Sequence, residues 1–141
     1  METASFGILA VATNGNILAK KALQGQLASF LNALRKAGGD YSIEEDGIRF
    51  FKQIGNKSFL NSLQIETDTY PGFVTDWQQP FAVLLTQADG ESIIHETVYE
   101  DRFNYVEDLN RMGAKIRVET RCLGELPCRF QGKSYNHTCV I

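Results

Sequence analysis

At 141 residues the chain is long enough for one domain with a real core, and its 43% apolar and 22% charged content is ordinary for a globular protein. A net charge of −3 and a pI of about 5.4 leave no basic field to hold a nucleic-acid backbone. The longest apolar stretches, Phe6 to Ala12 and Phe81 to Thr86, are far shorter than a membrane span, and the N-terminus lacks the basic-then-apolar order of a secretory leader.

In chain order, Ala4 to Ala12 is apolar enough for a buried helix, ended by Asn14-Gly15. Asn16 to Lys20 reads as a short strand. Leu27, Phe30, Leu31 and Leu34 recur at helical spacing, and Gly38-Gly39 ends that helix. Tyr41 to Glu44 and Gly47 to Phe51 alternate like a hairpin across Glu45-Asp46. Leu63 to Glu66 is a predicted strand, about Thr75 to Ala88 a helix, and Ser92 to Glu96 a strand. Val106, Leu109 and Met112 mark a further helix, Ile116 to Thr120 a strand, and Cys139 to Ile141 another. Strands separated by helices favour parallel or mixed pairing in an α/β layer.

The sequence also repeats. A shift of 75 residues (Gly15 onto Gly90) lays Phe6 on Phe81, Ile8 on Val83, Leu9 on Leu84, Leu31 on Val106, Leu34 on Leu109, Gly38 on Gly113 and Ile43 on Val118. The organisation expected is one partial domain over 1–141, with repeat one at about 1–53, repeat two at about 61–124 and the start of a third unit at about 130–141. The chain opens almost directly on a helix and closes within a strand, so it is expected to be a fragment of a longer protein.

Two residues stand out for chemistry. Asp76 follows the Pro71-Gly72 turn at the start of a predicted helix. Either Thr75 or Asp76 is placed to cap that helix, accepting backbone N–H bonds left open by the first turn. The other reading of Asp76 is a carboxylate that orients and deprotonates a hydroxyl, since a free alcohol is a poor nucleophile near neutral pH. Arg102 lies among acidic and aromatic residues just after a predicted strand. It is either a solvated ion-pair partner or a planar fork that grips a carboxylate or phosphate with two bonds at once. Glu100 is placed either to hold that fork or to serve as a surface acid. Phe73, Trp77 and Tyr99 are expected to give shape rather than to bind.

The three cysteines are an odd set without a leader, which reads as reduced thiols in a cytoplasm. Cys122, Cys128, His137 and Cys139 raise the question of zinc, but no C-x-x-C pair is present, and Cys128 follows Pro127 in an apparent turn. No metal is therefore expected, and His95 and His137 are expected to be satisfied structural histidines. No phosphate-cradling, dinucleotide-binding or nucleophile-elbow motif occurs.

The blocks Pro71-Gly72-Phe73-Val74-Thr75-Asp76 and His95-Glu96-Thr97-Val98-Tyr99-Glu100-Asp101-Arg102-Phe103 resemble those of the UDP-N-acetylglucosamine 1-carboxyvinyltransferase family, the enolpyruvyl transferases of early peptidoglycan synthesis. The resemblance runs along nearly the whole chain and places it in the second domain of that family. It implies an inside-out α/β barrel, in which βαβαββ units assemble around buried helices. It also implies transfer of the enolpyruvyl group of phosphoenolpyruvate to the 3-hydroxyl of UDP-N-acetylglucosamine, with no cofactor. Asp76 would contact that hydroxyl and act as its base, the Val98 backbone would contact the sugar nucleotide, and Arg102 would lie near phosphoenolpyruvate. The general acid would come from the missing first domain, so the chain alone is expected to be inactive. Many relatives have Asn where this chain has Asp101, a negative charge that would weaken the pull of Arg102 on an anion.

Three alternatives stand beside this reading. An enolpyruvyl transferase acting on shikimate 3-phosphate has a related architecture, but its phosphorylated acceptor would favour basic and hydroxyl residues over Asp76. A truncated homologue would serve as a non-catalytic binding module. A nucleic-acid-processing protein built from similar repeats is disfavoured by the acidic charge.

Overall fold

The computed structural model describes residues 1–53 and 60–141. The first unit runs α1 (Glu2–Ala12), β1 (Asn16–Lys20), α2 (Ala28–Ala37), β2 (Gly39–Glu44) and β3 (Gly47–Lys52). The second runs β4 (Leu60–Asn61), β5 (Gln64–Asp68), β6 (Phe73–Val74), α3 (Gln78–Leu85), β7 (Ala88–Asp89), β8 (Ile93–His95), α4 (Val106–Arg111), β9 (Arg117–Glu119) and β10 (Thr138–Val140).

The expected mixed or parallel pairing fails in the first unit. Its sheet has the order β1-β3-β2 and is antiparallel throughout. Strands β1 and β2, separated by α2, do run the same way. The β2–β3 hairpin folds β3 back between them, so they never touch. The second sheet, ordered β6-β5-β8-β10-β9, is mixed: β5 pairs in parallel with β6 and β8, while β10 is antiparallel to β8 and β9. Strands β8-β10-β9 therefore repeat the arrangement β1-β3-β2. Residues 130–141, expected to open a third unit, supply through β10 the central strand of this second motif. The long segment 120–137 takes the place of a tight hairpin.

The two helices that face each other, α1 and α3, show the repeat in a register the sequence does not reveal. The exposed Phe6 and Leu9 fall on the buried Phe81 and Leu84 at a shift of 75, and buried Ile8 falls on exposed Val83. A shift of 74 residues (Ala4 onto Gln78) instead lays the inward residues Ala4, Gly7, Ile8, Ala10 and Val11 on Gln78, Phe81, Ala82, Leu84 and Leu85. Both helices are apolar on most faces, so sequence identity alone does not say which face turns inward. The small residues of α1 admit close packing on β3, where a Cβ on Gly7 would lie 3.0 Å from the Phe50 ring.

Helix α2 is amphipathic and buries Phe30, Leu31, Ala33, Leu34 and Ala37. It ends on Gly38 in the left-handed region at φ 102°, as its sequence predicts. The predicted helix 75–88 is shorter than expected. Thr75–Trp77 is a 3₁₀ turn, α3 stops at Leu85, and Ala88 pairs in parallel with Leu60. Pro80 lies in the first turn of α3, where its missing N–H costs nothing.

An aromatic cluster joins the units. Phe30 of α2 meets Phe50, Trp77 and Phe81 edge-on at 6.3, 5.6 and 6.1 Å, and Phe73 meets Trp77 and Phe81 at 5.5 Å each. Such edge-to-face pairs add to the area that each ring buries. Trp77 is thereby fixed, and with it the neighbouring Asp76.

Candidate active site

Asp76 sits in the 3₁₀ turn between β6 and α3, with its side chain 53% exposed. Neither it nor Thr75 caps a helix: no side-chain cap bond is made at the start of the 3₁₀ turn or of α3. The Thr75 hydroxyl turns inward and donates to Glu96 Oε2 at 2.6 Å. The capping reading is thus overturned, because the Thr75 side chain turns inward, away from the helix terminus, to donate to a buried carboxylate, and the Asp76 carboxylate is left facing outward.

Arg102 lies in the irregular segment between β8 and α4. Its Nη2 donates to Asp76 Oδ1 at 3.2 Å, and its guanidinium lies 5.6 Å from the centre of the exposed Tyr99 ring. The two residues picked from separate sequence blocks therefore meet. The Nε–H of Arg102 is buried and has no hydrogen-bond partner among the described residues. Glu100 does not hold the fork; it pairs with Arg129 at 3.4 Å. Asp101 adopts the left-handed region at φ 53°, which Asp and Asn tolerate better than other non-glycine residues. Asp and Asn are thus interchangeable there for the backbone and differ only in charge beside Arg102.

The residue that organises the site is Glu96, which sequence reasoning passed over. It is fully buried just beyond β8. Its Oε1 accepts from Thr67 Oγ1 (2.8 Å), Val98 N–H (2.8 Å) and Tyr99 N–H (3.0 Å), and its Oε2 from Thr75 Oγ1 (2.6 Å) and Gln78 Nε2 (3.0 Å). Five donors meet the full desolvation cost of a carboxyl group. They also tie the turn that carries Asp76 to the segment that carries Arg102. Val98, expected to contact a ligand through its backbone, spends its N–H on Glu96, leaving its carbonyl as the group to offer. A charged residue two positions after Ile93-Ile94, at the end of a largely buried strand, was the available signal, since a buried polar group must find partners.

Gln78 extends the network, accepting from the Tyr105 hydroxyl at 2.7 Å. Burial above all, with Cys139 and Glu96 adding to it, pushes the Tyr105 phenol well above its usual range.

The sulfur- and nitrogen-bearing residues gather differently from the set that the sequence offered. Cys139 lies fully buried in β10, and its place beside Cys122, Cys128 and His137 is taken by His95. His137 is satisfied, with Nδ1 2.8 Å from the Tyr135 carbonyl and Nε2 3.2 Å from Cys122 Sγ. His95 is only half satisfied: Nδ1 lies 3.2 Å from Glu66 Oε2, whereas buried Nε2 has no partner among the described residues. Partial burial works against ionisation of Glu66, but the N–H groups of Glu125 and Leu126 and the His95 ring outweigh it and hold the carboxyl below its usual range.

Paired layers of this kind, with helices turned inward against sheets, define the enolpyruvyl-transferase fold. The enolpyruvyl transferase NikO from Streptomyces tendae superposes on 99% of the chain with a TM-score of 0.69 at 17% identity, over 28% of its own length. Residues 1–136 match the EPSP synthase (3-phosphoshikimate 1-carboxyvinyltransferase) family, and the chain belongs to that family. Over its whole length it is 44% identical to UDP-N-acetylglucosamine 1-carboxyvinyltransferase of Protochlamydia amoebophila and to that of Chlamydia trachomatis serovar D. It is 35% identical, over 98% of its length, to UDP-N-acetylglucosamine 1-carboxyvinyltransferase 2 of Listeria monocytogenes. The chain spans only about 30% of the length of these relatives. Among the described residues no helix is long and apolar enough to cross a membrane.

Proposed function

We propose that this chain is the part of a cytoplasmic enzyme of peptidoglycan precursor synthesis that positions the acceptor hydroxyl. That enzyme would transfer the enolpyruvyl group of phosphoenolpyruvate to the 3-hydroxyl of UDP-N-acetylglucosamine and release phosphate. The observation that carries the reading is the contact of Arg102 Nη2 with Asp76 Oδ1 at 3.2 Å, with both segments anchored on buried Glu96. The names of relatives at 44% identity support the choice of substrates.

In this reading the Asp76 carboxylate takes the proton of the sugar hydroxyl as its oxygen bonds to C2 of phosphoenolpyruvate. A general acid from a further domain protonates the methylene carbon. Loss of a proton from that carbon then restores the double bond as the C2–O bond to phosphate breaks. Arg102 balances charge on the phosphoenolpyruvate side through the exposed part of its guanidinium. The Val98 carbonyl faces the sugar nucleotide. The ligands lie in a cleft between this domain and the first, where closure expels water. The isolated chain, lacking the acid, does not turn over.

The test is Asp76→Asn in the full-length protein. A fall in kcat of about 10²- to 10⁴-fold is expected for loss of a general base; activity within a few-fold of the parent would sink the assignment. Shikimate 3-phosphate remains the second acceptor to try, because the matching family is described by that reaction. Competition between the two acceptors for one pool of phosphoenolpyruvate separates them.

A further inference from the structure

The segment 120–137, between β9 and β10, carries no regular secondary structure. Connections of this length inside a compact domain are uncommon unless something holds them. Three of its residues, Cys122, Cys128 and His137 at the entry to β10, converge with His95 at the end of β8. The four ligand-capable atoms all lie within 4.8 Å of one another. Both histidines are fully buried and both cysteines half-buried.

We propose that His95, Cys122, Cys128 and His137 form a tetrahedral Cys₂His₂ site for a zinc-class ion. Three independent features support it. The first is the buried Nε2 of His95, which has no hydrogen-bond partner among the described residues. A metal supplies the missing contact. The second is the orientation of both rings. His95 Nδ1 is held by Glu66 Oε2 at 3.2 Å and His137 Nδ1 by the Tyr135 carbonyl at 2.8 Å. A carboxylate or carbonyl on one ring nitrogen is the outer shell that metal-ligating histidines commonly show, and it fixes the tautomer that leaves Nε2 unprotonated. Glu66 is itself fixed by the N–H groups of Glu125 and Leu126 at 2.7 and 2.9 Å, on the loop between the two cysteines. A Cβ on Gly124 would collide with both His95 Nδ1 and Glu66 Oε2, so the loop backbone closes directly over this pair.

The third is the chemistry of the donors. Two thiolates and two neutral imidazoles balance a divalent charge, which suits a largely buried place. Soft sulfur with imidazole selects zinc over magnesium or calcium. Bond lengths of about 2.0–2.3 Å would set the ligand atoms about 3.3–3.8 Å apart around a tetrahedron. Cys122 Sγ and His137 Nε2 are already 3.2 Å apart, and the widest pair needs a contraction of the order of one ångström.

Successive residues of a strand point to opposite faces, so the ion binds behind the position from which Glu96 organises the candidate active site. Its role is structural: it staples the 120–137 loop to β8 and closes all four positions to substrate.

The decisive experiment uses the reduced full-length protein, stripped of metal and titrated with Co²⁺. One equivalent is expected to give intense tetrahedral d–d bands and thiolate-to-cobalt charge transfer, both bleached by Zn²⁺. Cys122→Ser with Cys128→Ser should abolish the charge transfer, whereas Cys139→Ser should keep it. No such bands in the folded parent, or bands unchanged in the double variant, would overturn the site. Should the double variant not fold, X-ray absorption of zinc in the parent decides alone. Two sulfur and two nitrogen neighbours support the site, and an all-oxygen or all-nitrogen shell refutes it.

Discussion

Thr75 Oγ1 donates to Glu96 Oε2 at 2.6 Å across 21 residues of sequence, one position before the exposed carboxylate of Asp76. The same Glu96 accepts the Val98 and Tyr99 N–H groups through its other oxygen, a few residues before Arg102. The distance between Asp76 and Arg102 is therefore a consequence of a buried acid that touches neither.

Glu96→Gln tests this. The amide replaces one acceptor oxygen with a donor and turns it toward hydroxyl, amide or backbone donors, leaving at least one of them unsatisfied. A loss of about 1–3 kcal/mol is expected in urea unfolding. In the full-length enzyme the fall in kcat should exceed any change in the KM of either substrate, since the groups that bind are present but displaced. Unchanged stability and kcat would show that the five hydrogen bonds are incidental.

Arg102→Lys keeps the charge and loses the fork. On the proposed reaction, loss of one charge-assisted hydrogen bond, about 1.5–3 kcal/mol, corresponds to a rise of roughly ten- to a hundredfold in the KM for phosphoenolpyruvate. Asp101→Asn should move the same constant the other way, by a few-fold, because it removes a negative charge while retaining a residue tolerated at φ 53°. Steady-state kinetics at two salt concentrations checks both, and the Asp101 effect should shrink at high salt.

Phe30→Ala opens a hole where four rings meet. A destabilisation of about 3–5 kcal/mol is expected by denaturant unfolding. Because Trp77 packs 5.6 Å from Phe30, its fluorescence in the native state should change as well, and Asp76 beside it should lose its fixed position.

Tyr105 sets an alkaline limit. Its phenol is pushed up in the folded state, chiefly by burial, so the fold favours the protonated form. The contribution is complete below the unfolded value of about 10 and is lost as pH rises beyond it, because the unfolded chain can then release a proton that the folded chain retains. Unfolding free energy should decline above about pH 10, with a shallower decline in Tyr105→Phe. The variant should be somewhat less stable at neutral pH, since the Gln78 Oε1 would lose its donor. Equal slopes for both proteins would exclude Tyr105 as the cause.

Much of the local structure was legible before any coordinates. Periodicity located α2, α4 and the β2–β3 hairpin, and Gly38 marked the end of α2. These features depend on residues within one or two turns of each other, so the sequence carries them directly. Asp76 and Arg102 were picked out as candidates, by residue type and by the resemblance of their blocks to those of an enolpyruvyl-transferase family. Their contact, across 26 residues, was not. Nor were the one-residue change of register between α1 and α3, the insertion of β10 between β8 and β9, or the exchange of Cys139 for His95 in the sulfur–nitrogen cluster. What the sequence determined by itself was the longer helices and strands and the presence of a repeat, because these follow from short-range sterics and patterning, whereas the short strands β4, β6 and β7 depend on distant partners. Only the tertiary structure decided which groups meet and that Glu96 governs them, since burial and distant partners arise from how the units pack, and packing is a property of the whole chain.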